Sequence, residues 1–411
     1  MKKSSAALSI AIGIIAAAAL SSMISADMAL FAGFILAVAL LIYSDRKNVK
    51  LEGIIFIRRT TKGRNFIDRV AARHNKFWRK LSYVGIALAV ILMILGSVLL
   101  ITQAYAVLSG AEGGVKLLLP GPVSDPVNAP GVFVVPWWIW VIGIAVVIIP
   151  HEFMHGIMCR IDKVRIKSVG WLLLIVIPGA FVEPDEKQLA KQKKITKLRV
   201  YAAGSFANMI VALIVVLVAF AAVFAMSASS VTVPGGVAFA SMEGGSAYNA
   251  SLNGSIVAIN DVQVRKHSDL VGALSAFSPG DTISVTTTET MVVSGFFPQG
   301  VIADRSNTVT KSVVLGENEG RAFMGISTLG EAVEIRGNIQ AYAILSVLLF
   351  WIFIFSFGIG LVNLLPIKPL DGGLMLEELV SGSKYKKSIV RVVSVGMLLV
   401  LLFNIIGPLF L

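Results

Sequence analysis

Ile149-Pro150-His151-Glu152-Phe153-Met154-His155-Gly156 sets three side chains of metal chemistry inside a run, roughly 136 to 158, that is otherwise almost wholly apolar. Such a run is long enough to cross about 30 Å of hydrocarbon as a helix rising about 1.5 Å per residue. His151 and His155 are four apart, so a helix stacks both imidazoles on one face, within reach of a single Zn²⁺. Glu152 beside them can accept a proton from a metal-bound water. Pro150 is compatible with a helical turn or a kink there. An ionisable group at mid-bilayer costs on the order of 3 kcal/mol, which makes this cluster a functional site rather than a chance pattern. Cys159, the single cysteine, lies one turn beyond His155 and reads as helix packing; it rules out an intramolecular disulfide and any multi-cysteine metal site.

Working outward, 56% of the residues are hydrophobic and 15% charged, with a mean hydropathy of +0.82. That balance describes an α-helical polytopic membrane protein and excludes an ordinary soluble enzyme. Apolar runs near 5–25, 27–43, 81–108, 136–158, 198–226, 338–365 and 388–410 predict about seven transmembrane helices. The first reads as a retained helix in a hairpin with the second; a cleaved signal peptide is the other reading of Met1-Lys2-Lys3 and the Ala/Ile run that follows. Twelve Lys/Arg fall between Arg46 and Lys80, with further clusters at 160–167, 187–199 and 384–391, and these place one side of the spans in the cytoplasm. The segment 227–338 carries −4 and the remainder +16, so the net charge of +12 reflects topology and does not point to nucleic acid.

The domain division that follows is 1–45, an N-terminal transmembrane hairpin; 46–80, a basic cytoplasmic loop; 81–226, a first membrane portion; 227–337, a soluble extracytoplasmic module; and 338–411, a second membrane portion. Ser109 to Pro136 is too broken by Gly and Pro for a helix and too apolar for an ordinary loop. It reads either as a re-entrant hairpin beside the metal site or as a plain exterior loop. Val169 to Val182 is short for a span and reads as a second dipping segment or a strand, whose edge could pair with an unwound chain. Glu183, Asp185 and Glu186 read as an interfacial turn. Gly204 and Asn208 share a face of the fifth span, where the buried amide needs a partner: a neighbouring helix, or a substrate carbonyl whose oxygen is becoming negative. Near the end of the sixth span, Asn363-Leu364-Leu365-Pro366 leads to Pro369-Leu370-Asp371-Gly372-Gly373. Asp371 is either the N-cap of a helix starting near Leu374 or the missing third metal ligand. The 231–336 stretch is rich in Thr, Ser, Val and Gly with turn signals such as Ser278-Pro279-Gly280-Asp281, and predicts a mainly β module in which His267 is a surface residue.

With His151-Glu152-x-x-His155, Gly204-x-x-x-Asn208 and Asn363-Leu364-Leu365-Pro366 running into Leu370-Asp371-Gly372, the chain resembles the site-2 protease family of intramembrane zinc metalloproteases, in its archaeal form. Leu119-Pro120-Gly121 and Gly179-Ala180-Phe181-Val182-Glu183 also match family segments. The likeness covers roughly Leu81 to Leu411, interrupted by the exterior insert. Position 205 is serine where many relatives have proline, and the first two spans and the basic loop lie outside the common core. The resemblance implies one Zn²⁺ per chain on His151, His155 and Asp371, with Glu152 as general base and Asn208 and Asn363 orienting the scissile strand or the oxyanion. The expected substrate is a transmembrane protein cut within or near its span, at a site toward the cytoplasmic leaflet of the cell membrane. Gly245 to Ala250, Gly254 to Asp261 and Pro279-Gly280-Asp281 resemble a PDZ domain, which implies an extracytoplasmic module that docks an extended peptide or substrate ectodomain. Two rival readings are a membrane-anchored protease with a soluble catalytic domain, and a silent scaffold or metal transporter that captures peptides. The first needs a glutamate ligand on a following helix, and the second leaves a buried Glu152 without a use.

Overall fold

The computed structural model describes residues 3–110, 115–121, 131–174, 177–228, 232–293, 300–335 and 339–410. The chain begins with helices α1 (Lys3–Leu20) and α2 (Ala26–Ser44), which pack so closely that a Cβ on Gly33 would stand 2.4 Å from the Gly13 carbonyl oxygen. The basic segment is more than a loop: it contains β1 (Val49–Glu52), β2 (Ile55–Thr60) and helix α3 (Arg64–Arg73). A long helix, α4 (Asn75–Leu108), follows, and then two short strands, β3 (Leu117–Gly121) and β4 (Val132–Pro136), which pair in parallel. Much of the Gly/Pro-rich stretch between these strands lies outside the described residues. Pro136 ends β4 and caps α5 (Trp137–Ile161), which carries the His-Glu-x-x-His pattern.

After α5 come β5 (Ile166–Leu174) and β6 (Ile177–Pro184), the short helix α6 (Glu186–Ala190) and the long helix α7 (Lys194–Ala228). The apolar 169–182 run is therefore an antiparallel hairpin, and it joins β1 and β2 in a four-stranded sheet of order β1-β2-β5-β6. Sequence pattern alone does not reveal this sheet, because β2 pairs with β5 across more than a hundred residues. Its consequence is positional: β6 is left as an edge strand.

Two compact units are distinguishable, Met1–Leu213 with Trp351–Leu411, and Ile214–Phe350. The second holds β7 (Thr232–Ser241), α8 (Ser246–Asn249), β8 (Ser255–Ile259), β9 (Val262–Gln263), α9 (His267–Leu274), β10 (Thr282–Val293), β11 (Gly300–Val314), β12 (Gly316–Asn318), β13 (Arg321–Phe323) and β14 (Ile326–Ile335). Six of these strands form one sheet in the order β10-β11-β14-β7-β8-β9, closed by an additional pairing of β10 with β8. Val237, Ile256, Ile259, Ile283, Val285 and Met324 fill its core.

The chain then re-enters apolar sequence with α10 (Ile339–Asn363), the short helix α11 (Asp371–Leu379) and α12 (Lys386–Ile406). Among the described residues, six helices are long and apolar enough to cross a membrane: α2, α4, α5, α7, α10 and α12. The first apolar run gives a shorter helix, so six rather than seven segments meet that criterion. In the first unit, Ala89 and Met93 of α4 and Leu198 and Ala202 of α7 pack with Leu364 and Met375. Elsewhere in this unit, Met154, Ile157 and Met158 of α5 pack with Ile67, Ala71, Ala203 and Ala207.

Candidate active site

Helix periodicity on α5 puts both histidines on the side facing α7, and α11 brings Asp371 to the same point. The Nε2 atoms of His151 and His155 stand 3.2 Å apart, and Asp371 Oδ2 lies 3.5 Å from the first and 3.3 Å from the second. Tetrahedral donors held by bonds of about 2.0–2.1 Å are roughly 3.3–3.4 Å from one another. The three atoms thus form a triangle of the size a tetrahedral zinc site requires. Asp371 Oδ2 is also buried with no hydrogen-bond partner, an expensive arrangement unless a cation occupies the space it faces. Residues and geometry fit the metal.

The far side of each imidazole points to the same conclusion. His155 Nδ1 is 2.7 Å from the Val200 carbonyl, so Nδ1–H donates and Nε2 keeps its lone pair. His151 Nδ1 lies 3.1 Å from the side-chain amide of Asn208. The metal-competent tautomer has Asn208 Oδ1 accept from Nδ1–H, since amide oxygen and nitrogen are assigned by the network rather than by shape. Two lone pairs directed at one point repel unless a cation lies between them.

Asn208, to which the resemblance gave a role in orienting the scissile strand or the oxyanion, stands beside His151. It is fully buried, its side chain is engaged with His151, and it is absent from the cavity wall. Asn363, at the end of α10, does line the cavity, beside Glu152 and Asp371. Truncation of Asn208 to alanine is expected to weaken zinc affinity about 10–100-fold, the usual effect of losing a partner that orients a ligand. Titration against a metal chelator checks this; an unchanged affinity would show that the amide does not set the imidazole.

Two sets of glycines make the convergence possible. A Cβ on Gly204 would stand 2.3 Å from both histidine Nε2 atoms, so α7 reaches the site only because that residue has no side chain. On the other side, Cβ atoms on Gly372 and Gly373 would meet the Leu364 carbonyl oxygen at 2.0 Å and the Ile367 carbonyl carbon at 2.5 Å. These contacts let α11 start directly against the turn that ends α10. Its first residue is Asp371 and its N-cap is Leu370, so Asp371 is not the helix cap. Its carboxylate faces the histidines.

Glu152 points to the sheet. Its Oε2 accepts the Val182 N–H at 2.9 Å, on the outer edge of β6. The carboxylate, the metal cluster, Asn363 and Cys159 line one cavity of about 350 Å³. Cys159 is buried among apolar side chains as packing. The base of the β5–β6 hairpin is fixed by Asp185, which pairs with Arg165 at 2.8 Å and caps α6 through Gln188 N–H at 3.2 Å. These contacts hold its carboxyl below the usual carboxylate range, so the clamp is intact at neutral pH and loosens only in acid. Glu183 bonds to Ser168 at 2.5 Å, and no acidic residue of this turn is part of the metal cluster.

The model of the peptidase family M50, the site-2 protease family, matches residues 139–404, about two thirds of the chain. The chain belongs to peptidase family M50. It is also 26% identical over 337 residues to an uncharacterized protein of Methanocaldococcus jannaschii, covering 81% of this chain and 80% of that one. M50 proteins are intramembrane zinc metalloproteases, and the six apolar helices agree with a multi-pass membrane protein. The cluster of His151, His155 and Asp371 lies inside the matched residues; α1 through α4 lie outside them.

Proposed function

We propose that this M50 chain hydrolyses a peptide bond within or near a transmembrane segment of a membrane-protein substrate, with His151, His155 and Asp371 holding one zinc ion. The observation that carries the reading is the three-donor triangle with Glu152 beside it. When bound, zinc supplies a Lewis acid that polarises a carbonyl and acidifies water. Glu152 takes a proton from the attacking water and returns one to the leaving amine, a relay its position beside the cluster favours. Asn208 holds the His151 tautomer. Asn363, on the cavity wall, steadies the scissile carbonyl.

A transmembrane helix hides its carbonyls in its own hydrogen bonds, so the substrate must unwind before attack. The outer edge of β6 is a place for it to do so. The N–H of Val182 shows that this edge faces the site, and neighbouring edge groups can bond an extended chain by strand addition. In the second unit, among the described residues, β14 pairs with β7 along most of its length but with β11 only at Val333 and Glu334. The open edge near Ser327 to Leu329 suits a PDZ-like module that docks an extended peptide or ectodomain, outside the cell by the distribution of basic residues. The catalytic cavity lies toward the cytoplasmic leaflet, since α5 ends at the basic cluster that begins with Arg160.

The experiment is cleavage of a single-span substrate by purified protein in detergent, with zinc counted per chain. Glu152→Gln is expected to keep its zinc and lose activity by about 10²–10⁴-fold, and Asp371→Ala to lose both. Unchanged cleavage in Glu152→Gln would remove the general base and favour a scaffold or metal-carrier role.

A further inference from the structure

A second cavity, of about 320 Å³, meets the catalytic cavity at Glu152 and Val182, which line both. Its walls are Thr60 from β2, Phe66 from α3, Ile149 and Phe153 from α5, and Phe181 from β6, and among the described residues Glu152 is the only ionisable one in its lining. Two of these walls come from the basic segment, which lies outside the residues matched to the family. That segment is held firmly in place. Phe66 stacks on Phe153 with ring centroids 5.3 Å apart, Arg160 Nε bonds Asp68 at 2.5 Å, and Arg64 donates to the Ile166 and Lys167 carbonyls at 3.1 Å each.

We infer that this cavity is the side-chain subsite of the protease, and that it takes an apolar residue of leucine to phenylalanine size flanking the scissile bond. The inference rests on the proteolytic reading above. An occupant in contact with Glu152 is next to the reacting bond, which distinguishes a substrate side chain from lipid lodged elsewhere on the apolar surface. An extended chain laid on the outer edge of β6 turns alternate side chains to opposite faces. The face toward α3 opens into this cavity, whose lining is apolar apart from Thr60 and Glu152 and holds no cation that would compensate a buried carboxylate. The basic segment therefore determines specificity, a role beyond marking the cytoplasmic side.

The test uses full-length protein and a single-span substrate in which each residue flanking the mapped cut is set in turn to Ala, Leu, Phe or Asp, with initial rates and zinc per chain measured. Wild type is expected to prefer Leu or Phe over Ala at one of the two positions by on the order of 10-fold or more, and to reject Asp there. Thr60→Trp fills the cavity and should lower the Leu-to-Ala rate ratio at that position about 10-fold. Phe66→Ala gives up the stack on Phe153 but keeps the Arg160–Asp68 and Arg64 contacts that hold the segment, and should raise tolerance for Phe relative to Leu. A ratio unmoved in both variants, with full zinc and active protein, overturns the subsite. A wild type that binds zinc yet cuts no substrate overturns the proteolytic reading first, and the subsite with it.

Discussion

Gly204→Ala is expected to lose metal and activity together while the helix that carries it stays folded. Helix propensity alone favours the substitution by about 0.5–1 kcal/mol, because alanine has less backbone freedom to lose. Steric contact opposes it. The added methyl would stand 2.3 Å from Nε2 of both His151 and His155, and neither ring is free to yield, since Val200 and Asn208 hold their other nitrogens. Separating α5 from α7 to relieve the contact would disturb the apolar packing around Ala203 and Ala207. The expected loss is at least the 10–100-fold in zinc affinity typical of disturbed ligand orientation, with cleavage falling in step. Gly358→Ala is the matching control, because a Cβ there meets nothing within 4 Å. Elemental zinc and cleavage rate on the two variants decide the matter; a Gly204→Ala protein with full zinc would mean that α7 does not approach the two imidazoles closely at Gly204.

Asp162→Ala is expected to cost about 3–5 kcal/mol of stability, the usual penalty for leaving a buried charge without its partner. Arg199 is 2% exposed and bonds both Asp162 and the Ser82 hydroxyl, joining α7 to the end of α5 and to α4. Arg79 also pairs with Asp162 at 3.0 Å, but from a side chain that is 44% exposed, so it contributes less. Arg199 adjoins Val200, whose carbonyl orients His155, so loosening the pair should also lower zinc affinity. Thermal unfolding in detergent reads the stability. The double variant Asp162→Ala with Arg199→Met removes both charges and should be closer to wild type than Asp162→Ala alone, because an unpaired buried charge is worse than none. A double variant as unstable as the sum of the two singles would show that the pair acts through something other than charge.

Much of the site is legible in sequence because its chemistry conflicts with its surroundings. Histidines four apart next to a glutamate in an apolar run leave few readings, and an aspartate before two glycines after a proline turn is a visible candidate for the third ligand. What sequence does not disclose depends on partners distant in the chain. The role of β1 and β2 becomes apparent only when β2 pairs with β5, because their basic side chains have the composition of a solvated loop. Asn208 is conspicuous as a buried amide, yet only the structure gives its partner, His151. Gly204 reads as a close-packing residue without disclosing that the atoms it makes room for are the Nε2 atoms of His151 and His155. For Asp371, sequence leaves cap or ligand open, and α11 removes the cap reading by starting at Asp371 itself, with Leu370 as its N-cap.

X-ray absorption at the zinc edge of the purified protein tests the account most directly, because it reads the ligands themselves. The expected result is one zinc per chain with a shell of nitrogen and oxygen only at about 2.0–2.1 Å, including the outer scattering of two imidazoles, and loss of the bound zinc in Asp371→Ala. A sulfur at about 2.3 Å would make Cys159 a ligand, and a third imidazole or a zinc retained in Asp371→Ala would contradict the site built from His151, His155 and Asp371.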